Sequence, residues 1–249
     1  MERWRGKTAF VTGASAGIGA AVAETLALAG VKVAGCGRRL GRLEALREKL
    51  AGQGAIFMPL ELDLRDEAQT IAGFDAIRSA WGGVDILVNN AGLGHKAPLL
   101  SGQTSHWREM LEVNVLALCV CTREAAADMR RRGDDGHIIH ISSMSAHRVP
   151  KSSGVYSATK FAVRSLTEGL RMELREAGSS IRVTAISPGF VETEFAAHYS
   201  KSEEAARLTY SRFKVLDPQD VANSVVYVLE QPPHVQLHDL LMRPTAQPS

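Results

Sequence analysis

Thr12-Gly13-Ala14-Ser15-Ala16-Gly17-Ile18-Gly19 follows a short apolar run, Thr8–Val11, and leads into a helical pattern at 17–29. The glycines in this turn have separate physical jobs. Gly13 can adopt a backbone shape barred to residues with a β-carbon. Gly17 lets the backbone approach a pyrophosphate, and Gly19 lets the helix pack closely on the strand. Ser15 and Ile18 lie between them and belong to the same predicted phosphate turn. The helix N-terminus then offers free N–H groups and a positive dipole end to an anion. A tight turn with no ligand is the plainer alternative. The position after the first strand and before a helix favours a nucleotide.

Working outward, short apolar runs alternate with longer helical patterns. Strands are predicted at Thr8–Val11, Val31–Cys36, Ala55–Leu62, Val84–Asn89, His137–Ser142, Ile181–Ile186 and Val235–Met242. Helices are predicted near 17–29, 39–51, 66–81, 104–132, 152–178 and 217–231. Most strands read as continuous apolar runs, as parallel strands covered on both faces do. The alternation predicts an α/β fold with a doubly wound parallel sheet. Gly30 reads as a helix stop. Asp217-Pro218 reads as a helix start, with Asp as N-cap and Pro in the first helical position. No linker or repeat divides residues 1–249, so one domain is expected. The stretch 190–216 breaks the rhythm, with a short helical pattern at Glu203–Phe213, and reads as a substrate loop or lid.

Composition narrows the function classes. A net charge of +2, from 29 basic and 27 acidic side chains, gives no argument for nucleic acid or an anionic membrane. No apolar run approaches the roughly 20 residues that span a bilayer. The start, MERWRGKTAF, lacks the apolar core of a signal peptide, and a cytoplasmic location is expected. Cys36, Cys119 and Cys121 read as reduced thiols, and no His/Cys/Asp cluster has metal-ligand spacing.

The turn has the spacing G-x-x-x-G-x-G, not G-x-G-x-x-G. In that form, T-G-x-x-x-G-x-G, it resembles the short-chain dehydrogenase/reductase family. Asn89-Asn90-Ala91-Gly92 matches that family's N-N-A-G signature. Tyr156-Ser157-Ala158-Thr159-Lys160 matches its Y-x-x-x-K pair, with Ser143 thirteen residues upstream at a strand end. Tyr and Lys at i and i+4 share one helix face. A neighbouring ammonium is expected to pull the phenol's pKa down. The resemblance covers essentially the whole chain and implies a Rossmann fold with seven strands in the order 3-2-1-4-5-6-7.

It further implies an active site of Asn114, Ser143, Tyr156 and Lys160. Ser143 and Tyr156 would hold the substrate oxygen, and Tyr156 would exchange the proton. Lys160 would tune Tyr156 and bind the nicotinamide ribose. Asn114 would bend its helix and hold a water that links Lys160 to solvent. Pro188 and Gly189 would lie along the nicotinamide with Val191, and Thr193 would meet its carboxamide or a phosphate. Asn90, Ala91 and Gly92 would line the adenine side. Asp63, next to Leu64, could accept from the adenine amino group or cap the helix near Asp66; the family pattern favours adenine.

Cofactor choice can be read after the second strand. An NAD enzyme would place an acid there for the ribose hydroxyls. This chain has Gly37-Arg38-Arg39 instead. A guanidinium can pair bidentately with a 2′-phosphate that an acid would repel. NADP(H) is therefore the expected cofactor.

The substrate is less legible. The pocket is expected to include His95, Ser145, His147, Phe190 and Phe195. Several stretches, among them Met1-Glu2-Arg3-Trp4, Ser143-Met144-Ser145 and Met242-Arg243-Pro244-Thr245, are similar to an animal subgroup of carbonyl/ketosteroid reductases and insect NADP-dependent farnesol dehydrogenases. The chain departs from that subgroup at Pro150–Val155, which is shorter. The resemblance implies an apolar ketone, aldehyde or alcohol as substrate: a steroid, an isoprenoid or a dicarbonyl. It also implies a homodimer or homotetramer. Alternatives are a 3-hydroxy acid dehydrogenase of the same family and a non-catalytic NADP(H)-binding regulator.

Overall fold

The computed structural model describes every residue except Ser152 and Ser249. A parallel sheet of seven strands forms in the order β3-β2-β1-β4-β5-β6-β7. Its strands are β1 (Thr8–Thr12), β2 (Lys32–Gly37), β3 (Phe57–Glu61), β4 (Ile86–Asn89), β5 (His137–Ile141), β6 (Arg182–Pro188) and β7 (Asp239–Met242). Neighbouring residues on β1 feed opposite layers of core. Ala9 and Val11 join α1 (Gly17–Leu28), α2 (Leu40–Ala51) and α9 (Pro218–Glu230) through Val22, Leu26, Leu43, Val225 and Leu229. Phe10 faces the other layer, with α3 (Glu67–Trp81), α5 (Ala117–Arg131) and α6 (Gly154–Glu176). There it meets Phe74 edge to face, with ring centroids 5.0 Å apart, a geometry aromatic rings prefer. Trp4 is fully buried and donates its indole N–H to Leu229 O at 2.8 Å, which ties the N-terminal turn to α9.

Three expectations needed correction. The predicted strand Val235–Met242 is only Asp239–Met242. The residues before it are drawn into serving the start of β6 instead. Val235 O accepts from Arg182 Nη1, Gln236 Oε1 from Val183 N, and Leu237 O from the Thr184 hydroxyl. The expected helix at 104–132 is three pieces: α4 (Thr104–Leu111), a π-helical turn (Glu112–Leu116) and α5. Asn114 sits inside the π turn. The 190–216 excursion holds two helices, α7 (Phe195–Ser200) and α8 (Glu203–Tyr210), where one was expected. Lys201 breaks them apart in a left-handed conformation, φ 53°. A bridge from Val191 to Leu216 closes the excursion at its base. The helix expected from 152 begins at Gly154, and Ser152 lies outside the described residues. Among the described residues no helix is long and apolar enough to cross a membrane.

Candidate active site

The parallel strands all end at one edge, and the sequence motifs converge there. The sheet order reverses between β1 and β4, the place where open α/β sheets bind ligands. At that crevice the glycine turn forms a tight cradle. Gly13 has φ +69° and Gly17 φ +55°. A β-carbon on Gly19 would stand 2.3 Å from Gly13 O and 2.4 Å from Asn90 Nδ2. Asn90 seals the turn from the β4 side, with Nδ2 donating to Thr12 O at 2.9 Å. The Thr12 hydroxyl accepts from the N–H groups of Asn90 and Ala91, each at 3.0 Å. The two adjacent asparagines have different jobs, because Asn89 points away and donates to Thr122 Oγ1. At the helix start, Ala16 has no side chain with which to cap α1. Thr193 lies against the cradle; a β-carbon on Gly17 would meet its Cγ2 at 3.0 Å. These features fit a pyrophosphate at the start of α1.

The adenosine end carries more charge pairing than the motifs revealed. Arg38 and Arg39 are exposed just past β2. Arg39 Nη2 donates to Ser15 Oγ at 3.3 Å, so one guanidinium reaches the cradle. Its Nη1 pairs with Glu194 at 2.8 Å, and Arg42 Nη1 pairs with the same carboxylate at 2.5 Å. Asp63 does not cap α3; Asp66 does, accepting from Gln69 N. The Asp63 carboxylate accepts from the backbone and side chain of Arg65. The Arg65 hydrogen bond holds the Asp63 carboxyl below the usual carboxylate range. Leu64 borders a small cleft with Thr12, Ala91 and Val113.

At the reaction end, Ser143 follows β5 as the N-cap of a short 3₁₀ turn (Met144–Ala146), its Oγ accepting from Ser145 N at 3.0 Å. Ser143 also acts on the Tyr156 phenol, in the direction that lowers its pKa. Lys160 is buried, with Nζ donating to Ile141 O at 3.0 Å and lying 5.9 Å from the Tyr156 ring centre. Here the sequence expectation fails in direction. Burial outweighs the effect of Ser143 and pushes the phenol up to about 12. Burial likewise lowers Lys160 to about 8. A phenolate removed from water loses its hydration, and this loss is the larger effect at Tyr156.

Asn114 explains its own burial. Its Oδ1 accepts from Leu93 N at 2.8 Å, and its Nδ2 donates to Leu93 O at 2.8 Å and to Thr159 Oγ1 at 3.0 Å. The π turn brings this amide level with the loop after β4. A β-carbon on Gly92 would meet Asn114 Oδ1 at 3.4 Å and Lys160 Nζ at 3.6 Å.

Of the predicted pocket residues, Phe195 alone has a ring contact with Tyr156, at 5.4 Å between centroids. Tyr199, which the motifs did not flag, stands one helical turn on and 6.3 Å from Tyr156. The three rings converge on Gly94, where a β-carbon would meet Tyr199 at 2.8 Å, Phe195 at 2.9 Å and Tyr156 at 3.2 Å. Spacing of aromatics at i and i+4 in the excursion was the signal that could have found Tyr199. The histidines go elsewhere. His95 Nε2 pairs with Glu109 at 2.7 Å and its ring stacks on His106. His147 Nε2 bonds Ser187 Oγ at 3.1 Å and lies 3.3 Å from Asp239, tying the Ser143 loop to β6 and β7. Pro188 ends β6, and Gly189 N donates to Met242 O. Gln247 Oε1 accepts from Phe190 N at 3.0 Å and would collide with a β-carbon on Gly189. Phe190 is 43% exposed and tilts against Phe213.

Comparison with known proteins agrees with this arrangement. The model of the short chain dehydrogenase family matches residues 7–204. The chain is 56% identical to dehydrogenase/reductase SDR family member 11 of Bos taurus, over 99% of each chain. It is 40% identical to farnesol dehydrogenase of Aedes aegypti, again over 99% of each. Its fold superposes with a TM-score of 0.91 on the closed form of serine dehydrogenase complexed with NADP+, at 35% identity over 97% of this chain and 96% of that one. Sequence, sheet order and the convergence of motifs on one sheet edge lead to the same conclusion: the chain belongs to the short chain dehydrogenase family of oxidoreductases.

Proposed function

We propose that this chain is an NADP(H)-dependent carbonyl reductase, reversible as a secondary alcohol dehydrogenase, acting on an apolar ketone, aldehyde or alcohol. The observation that carries the reading is the convergence of the Tyr156 ring, the buried Lys160 Nζ 5.9 Å from it and an aromatic wall of Phe195 and Tyr199, with Ser143 acting on the phenol from the end of β5. When bound, the nicotinamide supplies the hydride. The rest falls to this chain. The glycine cradle and α1 hold the pyrophosphate, and Arg38 and Arg39 read the 2′-phosphate. Ser143 and Tyr156 hold the substrate oxygen, and Tyr156 gives it a proton as negative charge develops there. Lys160 stabilises the phenolate left behind, and Asn114 fixes the Leu93 backbone beside it.

The ring-lined site supports an apolar substrate, and the farnesol dehydrogenase relative points the same way. The structural likeness to serine dehydrogenase favours a 3-hydroxy acid as the second reading. Initial rates with NADPH across a dicarbonyl, a ketosteroid, an aliphatic aldehyde and a β-keto ester, plus farnesol or serine with NADP+, separate the two. Turnover of serine with none of the apolar compounds would overturn the apolar assignment. Tight NADPH binding with no turnover anywhere would favour the regulator reading.

Cofactor choice has its own test. Replacing Arg38 and Arg39 with Ala is expected to weaken NADPH binding about 10- to 100-fold, the scale of one or two charge-assisted hydrogen bonds, and NADH by less than about threefold. Equal loss for both cofactors rejects the 2′-phosphate role.

A further inference from the structure

Glu194 has no part in the chemistry described so far, yet it occupies the guanidinium that the cofactor needs. Its carboxylate bridges Arg39 at 2.8 Å and Arg42 at 2.5 Å, while Arg39 also touches Ser15 at the cradle. Arg39 and Glu194 are each about two-fifths exposed, so water and a charged ligand can reach the pair. Glu194 is also the residue immediately before α7. The next residue, Phe195, packs on the Tyr156 ring, and Tyr199 follows one turn later. One short helix therefore touches the adenosine end of the site through Glu194 and the reaction centre through its rings.

We propose that Glu194 competes with the cofactor's 2′-phosphate for Arg39, so that it sets the affinity for NADP(H) and couples 2′-phosphate binding to the position of α7. This rests on the cofactor reading above. A dianionic phosphate on Arg39 and Ser15 repels the Glu194 carboxylate, and the guanidinium that serves one cannot serve the other in the same geometry. The apparent affinity scales with the fraction of time Arg39 is free of Glu194. NADH has no 2′-phosphate, does not contest Arg39 and leaves the pair intact. An acid at this place thus acts on the phosphorylated cofactor alone, from the lid and not from the end of β2.

Direct titration of the purified full chain by cofactor fluorescence tests the proposal. Glu194→Gln keeps the shape and removes the charge. It is expected to tighten NADPH about two- to fivefold, the scale of an exposed ion pair, and to change NADH by less than that. A second readout uses adenosine 2′,5′-bisphosphate, which carries the 2′-phosphate and no nicotinamide. In the wild-type chain it should alter hydrogen exchange at 193–201, and 5′-AMP should not. NADPH binding that is unchanged or weaker in Glu194→Gln overturns the proposal and makes Glu194 a support for Arg39. Equal hydrogen exchange with both probes overturns the coupling to α7. Failure of the cofactor reading is distinguishable, because there Arg39→Ala would cost NADPH and NADH alike.

Discussion

Tyr156→Phe is expected to lower kcat/KM for ketone reduction about a thousandfold while NADPH binding stays within about twofold, on the scale of a lost general acid. The side chain loses only its hydroxyl. The ring keeps its contacts with Phe195 and Tyr199, and Lys160 keeps Ile141 O. What disappears is the proton donor. Steady-state rates and a fluorescence titration on the same preparation separate chemistry from binding. Retained turnover would mean that another group supplies the proton.

The same geometry gives a pH dependence. With its pKa raised to about 12, Tyr156 is fully protonated at neutral pH and ready as an acid. It cannot cause a loss of reduction between pH 6 and 9. Lys160, lowered to about 8, loses its charge as pH rises through that value. Below it the ammonium is present to stabilise the phenolate that forms; above it that help is lost. Reduction should therefore hold steady at neutral pH and fall above about pH 8.

Gly19→Ala should be the most damaging single methyl in the cofactor site. The added carbon would stand 2.3 Å from a backbone oxygen and 2.4 Å from Asn90 Nδ2. Neither is the free end of a flexible side chain, since Asn90 is held by Thr12 O. The strand–helix turn must shift. NADPH and NADH are expected to weaken together, by about tenfold or more, because both share the pyrophosphate. Overpacking of this kind costs about 1–3 kcal/mol, which lowers the melting temperature by several degrees in a chain of this size. Gly41→Ala in α2 is the control, since nothing lies within 4 Å of its added carbon. It should leave both cofactors unaffected. Loss confined to NADPH in Gly19→Ala would argue that the cradle does not hold the pyrophosphate.

The linear sequence determined the features that depend on local chemistry. The glycine turn, the alternation of parallel strands with helices and the Tyr156/Lys160 pair could be read because backbone sterics, layer burial and helical spacing act over a few residues; the strand order came from the family resemblance. Even the buried Asn114 was legible as an anomaly, since an amide among apolar neighbours needs partners. Tertiary structure decided everything that depends on which distant groups arrive together. Glu194 reaches Arg39 across 155 positions, and Asp239 reaches the Ser143 loop through His147. No local pattern encodes such meetings. The same limit explains the phenol. The i, i+4 spacing brings Lys160 near Tyr156, but the sign of the shift depends on how much water the assembled layers exclude, and burial wins. The substrate wall follows the same logic, because Gly94, Tyr156 and Tyr199 become neighbours only when α7 folds back over the sheet edge.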